Sequence, residues 1–177
     1  MINTVMLITS IEYFGDVVLT RRYTLSKRDR KELLESLRMR FPNLEISKDS
    51  VIEILHIDKS LEVIIIDRVP ALIRRDNEWL PHLKFLLKHG IKGFPWVAVD
   101  KGAVKPILNG ADVMAPGVKA IGGSFRENDI VIVVDNEFFK PIMVGRALVD
   151  SEKMKSISRG KVIENIHVLN DDLWNIV

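Results

Sequence analysis

The chain has no cysteine among its 177 residues, which excludes disulfide staples, thiolate metal ligands and cysteine nucleophiles together. No apolar run approaches the roughly 18 residues that span a bilayer; the longest, at 63–66 and 130–134, have strand length. The opening stretch M-I-N-T-V-M-L-I-T-S-I-E-Y-F-G-D lacks a basic leader and is interrupted by Glu12 and Asp16, unlike a secretory signal. A cytoplasmic protein without a membrane partner is therefore expected. Neither G-x-S-x-G, nor a Walker sequence, nor G-x-G-x-x-G occurs, so nucleotide hydrolysis and dinucleotide binding lack support. The four histidines, His56, His82, His89 and His167, are scattered without metal-ligand spacing. His82 and His89, seven apart, are expected to be structural, and Asp171-Asp172 reads as a turn rather than a cation site. No catalytic residue, metal or cofactor is expected.

Charge of one sign is also scarce: the formal net charge is +2, too small to announce a nucleic-acid partner by itself. Clustering is another matter, because Arg21, Arg22, Lys27, Arg28, Arg30 and Lys31 crowd into positions 21–31. Hydrophobic content of 47% with 28% charged residues is ordinary for a chain that buries a core. The length allows one domain or two small ones.

Thr, Val, Ile and Tyr enrichment predicts one or two strands over 2–25. Ser26 followed by Asp29 caps a helix whose apolar stripe is Leu33, Leu34, Leu37 and Phe41, ended before Pro42. Strands follow at 51–57, 61–66 and 69–73, then a helix over 81–89 with Pro81 in its first turn and Gly90 as its stop. Phe94-Pro95-Trp96 reads as a linker. Beyond it the pattern is almost all-β, with strands at 97–99, 112–114, 130–134, 142–148 and 162–168 and helices at 103–108 and 151–157. Pro106 is placed in the opening turn of its helix, where the missing N–H costs nothing. Short strands at regular spacing point to a small closed barrel.

One segment stands apart: V-D-K-G-A-V-K-P-I-L-N-G-A-D-V-M-A-P-G-V, residues 99–118. A short helix is stopped by Asn109-Gly110, a strand follows, and Pro116-Gly117 forces a second turn. Backbone between two such turns is accessible, since Gly110 and Gly117 carry no Cβ. Lys101 and Lys105 share one helix face beside it. Turns of this kind occur in many proteins and do not by themselves specify a ligand.

Residues 99–174, with G-A-D-V-M-A-P-G-V, N-D-I-V-I-V-V and G-K-V-I-E-N-I-H-V-L-N-D-D-L-W, resemble a PUA domain, the module named for pseudouridine synthase and archaeosine transglycosylase. Its pairing with an amino-terminal half containing V-I-E-I-L-H-I-D and P-H-L-K-F-L-L-K-H-G is similar to archaeal relatives of the multiple-copies-in-T-cell-malignancy protein family. The resemblance implies an α+β fold: an N-terminal α/β pre-PUA-like domain at 1–95, followed by a C-terminal PUA-type small β-barrel with short helices at 96–177. It further implies a non-enzymatic RNA-binding protein of translation, contacting the small ribosomal subunit and a tRNA 3′ CCA end or rRNA. A separate initiation-factor-like protein is the implied partner. By position, the RNA-binding residues would be Lys101, Gly102, Lys105, Asn109, Gly110, Ala111, Asp112, Met114, Pro116 and Gly117, with Arg146 beside Gly145 on a facing strand.

Other readings stay open at this level. Arg21, Arg22, Lys27, Arg28 and Lys31 are candidate ribosome or RNA contacts, or the solvated face of a surface helix. Trp79, Trp96 and Trp174 could stack on bases or anchor a core. An accessory protein for RNA modification and a protein-interaction module without RNA affinity are the competing functions.

Overall fold

The computed structural model describes residues 21–41 and 46–176; the strands expected over 2–20 lie outside them. The chain divides into two compact units, Met1–Pro81 and His82–Val177.

In the first unit, β1 (Arg21–Thr24), β2 (Ile52–His56), β3 (Leu61–Ile66), β4 (Val69–Arg75) and β5 (Glu78–Pro81) form an antiparallel sheet in sequence order. Two of its hairpins turn on two-residue loops, Asp67-Arg68 and Asp76-Asn77, all four residues at positive φ. That geometry matches the twist of the flanking strands. β3 is buried at all six positions, as a central strand covered on both faces must be. α1 (Lys27–Arg40) starts where expected: the Ser26 hydroxyl accepts the Asp29 N–H at 3.2 Å and donates to its carboxylate at 2.7 Å. Leu34 and Leu37 are its buried residues.

β5 is an addition to the strands expected from sequence, and it corrects the start of the next helix. Pro81 closes β5, an edge strand where a missing N–H is tolerated, instead of opening a helix. α2 is Leu83–His89, capped by His82 and stopped by Gly90 at φ +85.

The second unit carries β6 (Trp96–Val99), α3 (Lys101–Leu108), β7 (Val113–Met114), a 3-10 turn (Ala115–Gly117), β8 (Val118–Gly122), β9 (Ile130–Asp135), β10 (Pro141–Ala147), α4 (Ser151–Ser156), β11 (Lys161–Val168) and α5 (Asp172–Asn175). The strands form one sheet in the order β7-β11-β10-β9-β6-β8. Its two edges, β7 and β8, are joined by the three-residue turn, so the sheet curls until they meet. Strand alternation sorts two cores. Val97, Val99, Val131, Val133, Met143 and Ile163 share one cluster, while Ala98, Ile132, Val134 and Val144 join Leu83 and Leu86 of α2 in the other. A domain boundary at 95/96 is expected from sequence; the compact units part at 81/82 because α2 packs on β10. Pro106 is not in an opening turn, because α3 begins at Lys101 under the Asp100 cap. It lies past the positions that need no N–H, on an exposed face.

Buried polar groups fasten α2 to the end of the chain. The His82 Nδ1 accepts the Lys84 N–H at 3.1 Å, and its Nε2–H donates to the Leu173 carbonyl at 3.2 Å. The His167 Nε2 accepts the Leu83 N–H at 3.3 Å, and its Nδ1–H donates to Asp171 at 2.9 Å. The two rings meet edge to face at 4.9 Å. Each ring thus has a protein partner at both of its nitrogens. Burial, then the neighbouring His167, pushes the His82 pKa down to about 4, against a smaller upward pull from the Leu173 carbonyl. Burial works to raise Asp171, but the bonds from His167 and the Trp174 and Val168 amides hold it below the usual carboxylate range.

The unfolded chain takes up a proton at His82 below its ordinary pKa of about 6.5, whereas the folded chain resists protonation until about 4. Stability of the second unit should therefore fall as pH drops from 6.5 to 4, by about 3 kcal/mol from this group, and be retained above 6.5. Urea unfolding across pH 4–8 checks this: His82→Asn, which keeps a capping side chain, should show a shallower decline over that window.

Candidate functional site

α3 owes its position to polar ties at both ends. At its start, Asp100 caps the helix through the Ala103 N–H (2.9 Å), pairs with Lys119 (3.3 Å) and donates its own N–H to the Gly117 carbonyl (2.9 Å). The cap bond first, and Lys119 with it, holds the Asp100 carboxyl below its ordinary range. Gly117 lies close to the helix: a Cβ there would stand 3.1 Å from that of Ala103, a tight contact.

At the other end, the Gly110 N–H reaches the Ile107 carbonyl (2.9 Å), and φ +92 at Gly110 turns the chain so that the Ala111 N–H reaches the Pro106 carbonyl (3.0 Å). The Asn165 amide on β11 then donates to the Ile107 carbonyl (3.1 Å) and the Ala111 carbonyl (3.0 Å). Asp112 accepts the Asn165 N–H at 2.9 Å and pairs with Lys161 at 2.7 Å. The Lys161 bond, then the Asn165 N–H, lowers the Asp112 pKa, so it stays ionised.

These ties sort the residues expected at the site. Lys101, Lys105, Asn109, Gly110, Ala111, Met114 and Pro116 are exposed and available to a ligand, as is Gly102. Asp112 is an internal anchor, and Gly117 is half-buried against the helix. Arg146 is half-buried and lies 3.4 Å from Glu164, so part of its charge is offset. Its neighbour Gly145 is required by packing, because a Cβ would fall 2.4 Å from Ile163 and 2.7 Å from the Glu164 carbonyl. No atom lies within 4 Å of a Cβ built on Gly110, so replacing it strains the backbone rather than crowding a neighbour.

On the opposite flank of α3 a groove of ≈ 630 Å³ opens between the helix and the turn joining β9 to β10. Lys101, Lys105 and Asn109 line it; residues 110–117 do not. The groove's far wall, residues 135–142, is not among the site residues expected from sequence. The signal was there: two adjacent phenylalanines, Phe138 and Phe139, in a polar turn are out of place unless one has a use.

In the first unit, the Arg22 guanidinium forms a two-bond pair with Glu53 at 2.9 and 3.0 Å across β1 and β2. Arg28 pairs with Glu32 (3.1 Å) and Lys31 lies 3.9 Å from Glu35, both one helical turn apart. Arg21 and Lys27 are exposed. Glu62 is buried between His56 at 2.6 Å and Arg74, and Tyr23 bonds His56 at 2.9 Å. Among the described residues no three His, Asp or Glu side chains converge as a metal site, and no helix is long and apolar enough to cross a membrane.

Residues 95–169 match the PUA domain, and residues 21–89 match a domain of unknown function, DUF1947. An uncharacterized protein of Methanocaldococcus jannaschii is 41% identical over 157 residues, covering 88% of this chain and 96% of the relative. Translation machinery-associated protein 20 of Eremothecium gossypii is 29% identical over 157 residues, covering 82% of this chain and 86% of its own length. Malignant T-cell-amplified sequence 1 of Danio rerio is 28% identical over 156 residues, with 82% and 86% covered. Among solved structures, a PUA domain from Aeropyrum pernix K1, in a tartrate complex, aligns with TM-score 0.78 and 33% identity over 88% of this chain and 89% of that one.

The Asn165 amide closes the loop after α3, and its removal should loosen that loop before the sheet. Asn165→Ala should cost about 1–2 kcal/mol for the two bonds lost. Hydrogen exchange at the Gly110 and Ala111 amides should accelerate by more than the global loss explains. Exchange in β9 and β10 should change only by the global amount.

Proposed function

Since the chain belongs to the family of PUA-domain proteins that carry a DUF1947 domain ahead of the PUA domain, we propose that it is a non-enzymatic RNA-binding protein of the translation machinery. The observation that carries this reading is the surface of α3 and its following loop. Exposed Lys101 and Lys105 stand beside Asn109 and the side-chain-poor backbone of Gly110 and Ala111. Ammonium groups neutralise phosphates, an amide side chain reads a base edge or sugar, and bare backbone admits close approach. The names of its relatives, translation machinery-associated protein 20 among them, support the setting.

In finer terms, the PUA surface engages a tRNA 3′ CCA end, or rRNA adjoining it, on the small ribosomal subunit during initiation, reinitiation or recycling. The amino-terminal unit docks through the exposed cations Arg21 and Lys27 and the outer face of α1. A separate initiation-factor-like protein completes the assembly, in the cytoplasm. Arg22, bonded to Glu53, holds the sheet rather than the RNA.

Fluorescence anisotropy with matched tRNAs, with and without the terminal CCA, at two salt concentrations, tests this. The CCA-bearing tRNA should bind more tightly. Lys105→Glu should weaken binding of both and flatten the salt dependence by about one unit of slope, as expected for one lost phosphate contact. Equal binding of the two tRNAs would remove the terminus from the account, and no salt-dependent binding would remove RNA.

A further inference from the structure

The groove on the far flank of α3 has its own chemistry. Its floor is apolar: Val104 and Leu108 from the helix and Ile142 from β10. Its rim is cationic, with Lys101 and Lys105 on one wall and exposed Lys140 on the other. Asn109 and Asn136 face each other across it, each offering an amide donor and an acceptor. Of its two acids, Asp135 is spent inside the protein, accepting the backbone N–H groups of Glu137 (3.1 Å), Phe138 (2.6 Å) and Lys140 (3.0 Å). Glu137 lies 4.0 Å from the Lys101 ammonium.

The turn that forms the far wall is held in an uncommon conformation. Phe139 sits at φ +55, a region that bulky side chains avoid at a cost of about 1–3 kcal/mol. Its ring packs edge-on against Trp96 at 4.7 Å, and Trp96 in turn covers Gly122, where a Cβ would overlap the indole. With Phe139 turned onto Trp96, Phe138 is left 71% exposed at the groove's mouth. An aromatic face held out on a pinned turn, over an apolar floor and among three amines, is laid out for a flat apolar ring that carries a nearby anion.

We propose that this groove binds one unpaired nucleotide of an RNA strand, its base stacked on Phe138 and its phosphates among Lys101, Lys105 and Lys140. The proposal rests on the RNA-binding reading and adds a second face of α3 to it. The volume of ≈ 630 Å³ falls in the roughly 300–1,000 Å³ range of small-ligand sites, enough for a single nucleotide and too little for a duplex. The facing asparagines supply the mixed donors and acceptors that a base edge requires. Asn109 lines the groove and also caps the end of α3 where the 110–117 loop begins, so a strand crossing the end of the helix would pass from that loop into the groove.

The test uses the full chain with two RNAs: a single-stranded oligonucleotide carrying 5-iodouridine, and a blunt-ended duplex of matched composition. Photo-crosslinks of the single strand should map to the peptide containing Phe138. Phe138→Ala should weaken single-strand binding about tenfold, the loss of one stacked base, and leave duplex binding unchanged; Phe138→Trp should restore it. Because Phe138 is exposed, neither variant disturbs the core. If the wild-type chain binds RNA but crosslinks fall outside residues 135–140 and Phe138→Ala binds normally, the groove is not a nucleotide site, although the RNA-binding reading survives. Failure of the wild-type chain to bind either RNA would overturn both.

Discussion

The constraint on which the PUA half depends is the three-residue connection Ala115–Gly117. It joins β7 to β8, the two opposite edges of a six-stranded sheet. Three residues span only about 10 Å, so the sheet has no choice but to bend round until its edges meet. The turn is fixed from both sides: the Ala115 N–H reaches the Gly160 carbonyl, and the Gly117 carbonyl receives the Asp100 N–H. The same contact that shuts the sheet therefore also sets the start of α3. Curvature and the placement of the candidate interface are one event.

Inside the curl, strand alternation does the rest. Val131 and Val133 face one core and Ile132 and Val134 the other, so β9 is buried on both sides and the sheet becomes a rigid middle layer. Such a layer leaves the variable chemistry to the loops that emerge from it. The two turns that matter are each tied by a strand side chain that bonds several backbone groups: Asn165 on β11 pins the loop after α3, and Asp135 at the end of β9 pins the turn to β10. Both anchors come from the strands, and this is how a short helix can present two defined flanks to a ligand.

Much of this was legible in the sequence, for identifiable reasons. The capping of α1 by Ser26, the stop at Gly90 and the helix ended by Asn109-Gly110 follow from local chemistry, which a short window contains. Pro81 was misplaced because a proline suits either a first helical turn or an edge strand, and only the pairing of β5 with β4 decides between them. β5 itself could have been found from Asp76-Asn77, a pair suited to the positive φ of a tight hairpin. β8 was missed because V-K-A-I-G is short and interrupted, and its strand character comes from pairing with β6. At the site, Lys101, Lys105 and Asn109 were readable as exposed helix positions. The internal duty of Asp112 was not, since its partners Asn165 and Lys161 are some fifty positions away. Phe138 and Lys140 lie on a groove wall that forms only when a distant hairpin comes to face the helix, and the adjacent pair Phe138-Phe139 in a polar turn is the one local sign of it.

The central claim is that RNA contacts α3 and the loops it touches. The most direct measurement is amide chemical-shift mapping of the full chain during titration with an acceptor-stem RNA ending in single-stranded CCA. The account predicts perturbations concentrated at 101–117 and 136–140, with β9 and α4 quiet. Perturbations confined to α1 and β1, or none anywhere in the second unit, would contradict it.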